Sequence, residues 1–111
     1  MSVWKSSGLR VIELGGGISA AFAARLLADF GADVIKVEDP SGPDVTRAAW
    51  PFGPGDIQRR HGGLFRYLNS GKRGVTIDAS TSTGARSLVD LLAEADVVIE
   101  NLGAGRFDRL L

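Results

Sequence analysis

Apolar positions along the chain follow two alternating rhythms. Val11, Ile12 and Leu14 form a short, β-branched apolar run that ends at Gly15-Gly16-Gly17, and a helical rhythm follows from about Ala20 to Phe30. Ser19 stands where an N-cap is expected, and Phe22, Leu26, Leu27 and Phe30 recur at helical spacing, which predicts one buried stripe against a sheet. Gly31 offers a left-handed helix end, and Val34, Ile35 and Val37 predict a second strand closing at Glu38. From Asp39 to Gly63 the rhythm dissolves into a proline- and glycine-rich segment. A loop of that length inside a compact domain is more often functional than idle.

Regular patterning then resumes. Leu64 to Leu68 predicts a helical turn or two, and Val75-Thr-Ile-Asp78 predicts a third strand. Thr81 to Thr83 supply N-cap candidates for a helix whose apolar face is Leu88, Leu91, Leu92 and Ala95; Asp96 to Glu100 reads as the fourth strand, and Phe107 to Leu111 as the start of another helix. Strands alternating with helices at these lengths define an α/β fold. With right-handed crossovers it is a Rossmann-like open parallel sheet of about four strands, order 3-2-1-4, with helices on both faces. The domain is expected over residues 9–111, truncated at its C-terminus, with residues 1–8 as an N-terminal tail. In this order a crevice opens at the carboxyl ends of strands one and four, where the two special turns fall.

Composition narrows the chemistry. The chain has 111 residues, 44% of them apolar and 23% charged, enough for one domain with one core. Its 13 basic and 13 acidic residues cancel, so no global field recruits nucleic acid or a membrane surface, and any anion site must be local. No apolar run approaches the ~20 residues of a membrane span, and no signal-peptide pattern opens the chain, so the expected location is the cytoplasm. With no cysteine and one histidine, disulfides, thiolate catalysis and a multi-histidine metal site are excluded.

Four local patterns carry candidate chemistry. Gly15, Gly17 and Ala20 fit G-x-G-x-x-G/A, and Glu38 lies roughly 20 residues further on, where a ribose-binding acid would sit in an NAD site. The glycines serve either to bring backbone N–H groups to a ligand phosphate or simply to make a tight turn. Glu13-Leu-Gly-Gly-Gly also matches the acidic-x-G-x-G pattern of S-adenosylmethionine methyltransferases. Asp39 beside Glu38 adds negative charge that disfavours a nearby phosphate. Lys72-Arg73 fits a phosphate clamp and fits a solvated basic turn equally well. Arg59, Arg60, His61 and Arg66 make the long loop basic, most simply as a surface loop; no sequence feature sets a nucleophile or carboxylate beside His61. Trp4, Trp50 and Phe52 read as packing groups.

In three segments, Gly31-Ala-Asp-Val-Ile-Lys-Val-Glu38, Asn69-Ser-Gly-Lys-Arg-Gly-Val-Thr-Ile-Asp78 and Ala95-Asp-Val-Val-Ile-Glu-Asn-Leu-Gly-Ala-Gly-Arg106, the chain resembles the family III CoA-transferases, with Pro40-Ser-Gly-Pro-Asp44 and Arg47 between the first two. The resemblance runs from about Leu9 to Leu111. It implies a Rossmann-like large domain in an enzyme of two intertwined subunits, a homodimer, that binds coenzyme A or acyl-CoA. The family's CoA contacts then fall on Gly16, Gly17 and Ile18, on Lys72 and Arg73, and on Asn101, Leu102 and Arg109. It also implies that the catalytic aspartate lies downstream, so that no catalytic residue is expected in this chain. Three departures stand out: Ile18-Ser-Ala-Ala21 replaces an Ala-Gly-Pro-like run, Asp39 stands where a basic residue is common, and Ala104 where proline is usual. Two other readings stay open, a stand-alone NAD-binding module and a structural half of an interlocked dimer that binds nothing.

Overall fold

The structure, a computed structural model, describes residues 8–110. Most of the expected tail, Trp4 included, and Leu111 lie outside them. Four strands, β1 (Arg10–Leu14), β2 (Asp33–Glu38), β3 (Arg73–Thr76) and β4 (Val97–Glu100), form one sheet in the order β3-β2-β1-β4. Every pairing is parallel, as the expected topology requires. The helices are α1 (Ser19–Asp29), α2 (Gly63–Leu68), α3 (Ser82–Ala93) and α4 (Arg106–Leu110), and a 3-10 turn spans Val45–Ala48.

Alternation along the strands gives the sheet two unlike faces. Ile12, Leu14, Ile35 and Val37 point to one side and pack with Leu88 of α3, joined by Ile77, Leu91, Leu92, Leu102 and Phe107. Leu88 is 2% exposed, and burying such a side chain contributes about 1.5–3 kcal/mol. Thr81 caps α3, its Oγ1 accepting from Gly84 N at 3.0 Å. On the other side Val11 and Val34 pack with Ala24 and Ala32, flanked by Leu27, Val97 and Ile99.

Under α1 the expected stripe is corrected. Phe22, Leu26 and Phe30 are 42%, 44% and 51% exposed, and the buried positions are Ala20, Ala21 and Ala24. Small residues let the helix lie close on the sheet, close enough for the Ala21 carbonyl to accept from Lys72 Nζ at 2.9 Å; bulky side chains on that face would hold the helix away. Ser19 is also not the N-cap: Ile18 holds that position, and no side chain caps the helix. Gly31, at φ +102°, ends α1 as expected.

The proline-rich segment folds on itself. Asp44 caps the 3-10 turn, Gly62 N donates to Arg47 O at 2.8 Å, and Asp56 accepts from the N–H groups of Arg60 and His61. Trp50 is 80% exposed, so it is not a packing group within the described residues, whereas Phe52 is partly buried with the Arg59 guanidinium over its ring. Among the described residues, no helix is long and apolar enough to cross a membrane.

Candidate functional site

The turn after β1 and the turn after β4 meet at the carboxyl edge of the sheet. Asn101 joins them, its Nδ2 donating to Gly16 O at 2.7 Å. Gly15, at φ +109°, lies so near that a Cβ there would fall 1.9 Å from Asn101 Oδ1, so only glycine fits. Between these turns and the Asp39–Val45 segment lies a crevice of about 580 Å³. Its floor is apolar, with Leu14, Val37, Ile77, Leu88 and Leu102, and Arg106 is the cation on its wall. A parallel α/β sheet places its ligand crevice at this edge.

Beneath the glycine turn runs a chain of buried charges. Lys72 Nζ donates to Glu13 Oε1 at 2.6 Å, to Asn69 Oδ1 at 2.7 Å and to Ala21 O. Glu13 Oε2 accepts from Lys36 Nζ at 2.9 Å, and Lys36 Nζ lies 2.8 Å from Asp44 Oδ2, an ion pair without a hydrogen bond. Asp44 Oδ1 then accepts from Thr46 N, Thr46 Oγ1 and, at 3.3 Å, Gly17 N. Strand register makes the chain possible, because Glu13 and Lys36 face each other across β1 and β2.

The charges tune one another. Burial works against the Lys36 ammonium, yet the carboxylates of Asp44 and Glu13 beside it outweigh burial and raise the pKa above the usual lysine value. Burial dominates at Lys72 and lowers its pKa, with Glu13 opposing. Asp44 is pushed up by burial but brought below the usual carboxylate range by Lys36 and Thr46. Glu38 is likewise lowered, chiefly by Arg47: Arg47 Nη2 and Nε bind its two oxygens at 2.7 and 2.9 Å, and Asp44 N donates to Oε2 at 2.9 Å.

The structure gathers some of the sequence-selected residues and separates others. Gly16, Gly17, Asn101 and Leu102 surround the crevice, and Ile18 sits 60% exposed at the start of α1. Lys72 is instead buried, and its three donors are committed to protein acceptors, which corrects the picture of an ammonium free to clamp a phosphate. Arg73 opens β3 at the opposite, amino edge of the sheet, where its guanidinium grips Asp33 at 3.0 and 2.7 Å. Arg109 lies on α4, whose Arg106 and Leu110 line the crevice. Glu38, the would-be ribose acid, has both oxygens taken by Arg47. His61 Nδ1 lies 3.2 Å from Arg47 Nη1, and no cluster of three potential metal-binding side chains occurs among the described residues.

The sequence pattern marked Glu13 only as the acid of an acidic-x-G-x-G motif, not as the partner of a buried lysine, and did not mark Lys36, Asp44 or Arg106 as site elements. The available signal was a pair of opposite charges at mid-strand in two neighbouring apolar runs, Val-Ile-Glu-Leu and Val-Ile-Lys-Val.

Fold and crevice together define a Rossmann-like α/β domain with a crevice at the carboxyl edge of its sheet, between the glycine and Asn101 turns. Residues 7–111 match the family described as CoA-transferase family III, and the chain belongs to that family. It is 39% identical over 101 residues to the succinyl-CoA:mesaconate CoA-transferase of Haloarcula hispanica, covering 91% of this chain and 25% of that protein. It is 43% identical over 100 residues to the succinate–glutarate CoA-transferase of Agrobacterium fabrum, covering 86% and 24%. A CAIB/BAIF family protein from Brucella suis superposes with a TM-score of 0.76 at 40% identity, over 94% of this chain and 27% of the other. The chain thus spans about a quarter of the length of the curated relatives it matches.

Proposed function

We propose that residues 9–111 form the N-terminal coenzyme A-binding part of an acyl-CoA:carboxylate CoA-transferase that works as a homodimer. The observation that carries this reading is the carboxyl-edge crevice, in which the glycine turn and the Asn101 turn are locked together in a chain of this family. In the reaction a carboxylate side chain attacks the thioester carbon of acyl-CoA and expels the CoA thiolate, the thiolate attacks the resulting mixed anhydride to free the donor acid and leave CoA on the side chain, and the same steps in reverse with the acceptor carboxylate pass CoA on. The reading assigns that nucleophile to no residue of this chain, whose part is to bind and orient.

Gly16, Gly17, Ile18, Asn101 and Leu102 would line the bound cofactor, with Arg106 and Arg109 of α4 offering guanidinium groups to its phosphates. Lys72 and Arg73 move from phosphate contact to folding: Lys72 anchors the turn before β3 to Glu13, and Arg73 ties β3 to β2.

An NAD-binding module is the weaker reading, because Glu38 could take a ribose only by giving up Arg47. Titrating the chain with coenzyme A and with NAD, read by amide shifts, tests the choice. Coenzyme A should move Gly16 to Ile18 and Asn101 to Arg109. Saturable NAD binding that depends on Glu38, with no response to coenzyme A, would overturn the proposal.

A further inference from the structure

The peptide that joins Gly16 to Gly17 is held at both ends by side chains distant in sequence. Its carbonyl accepts from Asn101 Nδ2 at 2.7 Å, and its N–H donates to Asp44 Oδ1 at 3.3 Å. A trans peptide points these two groups in opposite directions, so the two bonds fix one plane between them. Asp44 is itself anchored, bonded to Thr46 and paired with Lys36. Asn101 is placed by strand register: Glu100 of β4 lies opposite Leu14 of β1, so the residue after β4 falls beside the glycines after β1. Asn101 N reaches Leu14 O at 3.4 Å, and its Oδ1 fills the space that a Cβ on Gly15 would need. A carbonyl oxygen takes only a donor, so the amide nitrogen is the atom that must face Gly16.

Three consecutive glycines have more backbone freedom than any other residues, and Gly15 and Gly17 take φ of +109° and +82°. Left to itself such a turn samples many shapes, and a ligand would have to order it on binding. The β1–β4 ladder is complete without Asn101, and an exposed hydrogen bond adds little to the stability of the fold. We propose that Asn101 is a positioning residue, whose side chain works with Asp44 to set the Gly16–Gly17 peptide in one plane before any ligand arrives. The side chain acts through Gly16, leaving only the Asn101 backbone to the ligand. Its role in affinity rests on the coenzyme A reading; the ordering of the free turn does not.

Two variants of the whole 111-residue chain test the clamp, read by backbone order parameters without ligand, by urea unfolding and by coenzyme A titration. Asn101→Ala removes the donor without adding charge, and Asn101→Asp keeps the shape but turns an acceptor towards an acceptor. In the unmodified chain the Gly16, Gly17 and Ile18 amides should be as rigid as those of β1, with order parameters of about 0.85. In both variants they should fall below about 0.6, with the unfolding midpoint little changed. A turn that holds its binding geometry about a tenth of the time lowers coenzyme A affinity about tenfold. A turn that stays rigid in the folded variants overturns the proposal, as does one already mobile in the unmodified chain. Unfolding of both variants would make Asn101 a structural residue and overturn it too. An affinity loss confined to Asn101→Asp would report charge, and a mobile turn with undiminished affinity would show that ordering is not needed; either outcome rejects the positioning role. Silence of the unmodified chain towards coenzyme A, with the turn rigid there and mobile in the variants, would instead sink the coenzyme A assignment and uphold the clamp.

Discussion

The two faces of this sheet achieve burial by opposite means. Under α3, long aliphatic side chains meet a long aliphatic face, Leu88 against Ile12, Leu14, Ile35 and Val37. Under α1 the helix contributes alanines and the sheet contributes charge, with Glu13 and Lys36 at 0% and 2% exposure in the strands and Lys72 inserted from the turn before β3. The aliphatic face supplies stability through area removed from water. The charged face gains less from burial, since desolvating ions offsets much of their attraction. What it gains instead is connection: one ionic chain ties the turn before β3, strands β1 and β2, the Asp44 segment and Gly17. The aliphatic face floors the crevice, and the charged face is tied to the glycine turn on its rim.

The largest effect should come from cutting that chain at its centre. Glu13→Leu leaves Lys72 without its carboxylate and Lys36 with Asp44 alone, at a cost of about 3–5 kcal/mol. Pairing it with Lys72→Met should recover part of the loss, because an apolar pair of similar volume replaces a buried ion pair with little penalty. Urea unfolding of the two variants checks both. A double variant as unstable as the single would mean that Lys72 is held by Asn69 and Ala21 and owes little to Glu13. On the other face, Leu88→Ala should cost about 2–4 kcal/mol in the same unfolding measurement.

The same contrast explains what could be read in the chain beforehand. The first, second and fourth strands and the α3 face followed from hydrophobic rhythm, because on that side large apolar residues do mark the core, and the 3-2-1-4 order followed from right-handed crossovers; β3, expected over Val75 to Asp78, runs instead over Arg73–Thr76. The rhythm misled at α1, where Phe22, Leu26 and Phe30 recur at helical spacing yet face outward, and alanines carry no hydrophobic signal strong enough to outvote them. Of the site, the two turns were legible as glycine patterns. Lys72 was legible as a cation but not as a buried one, since its carboxylate lies 59 residues away in sequence. The Asp44 to Gly17 bond spans 27 residues and leaves no local trace.

Acid should act mainly on the charged side. Asp44 and Glu38 have native pKa values below their ordinary ones, so the unfolded chain binds more protons between the native and unfolded values. Their contribution is present above the unfolded carboxylate pKa and is lost as pH falls through the native values. Urea midpoints measured from pH 7 downward should therefore drop below about pH 4. The Asp44→Asn variant should lose less over the same range, and an equally steep drop would place the acid sensitivity on other carboxylates.

The smallest effects lie at the two helix starts and test whether α1 depends on a distant carboxylate where α3 depends on a local hydroxyl. Thr81 Oγ1 accepts from Gly84 N, so Thr81→Ala should cost about 1 kcal/mol. Ser19 is the first helical residue and caps nothing, so Ser19→Ala should change stability by less than about 0.5 kcal/mol. Its Oγ lies 3.5 Å from Asn101 Nδ2, a contact at the limit of hydrogen-bond length that adds little. Unfolding midpoints of the two alanine variants, compared with the unmodified chain, decide the matter. Equal losses at both positions would mean that α1 is capped locally after all, and that Asp44 matters less to the start of α1 than the geometry of its bond to Gly17 indicates.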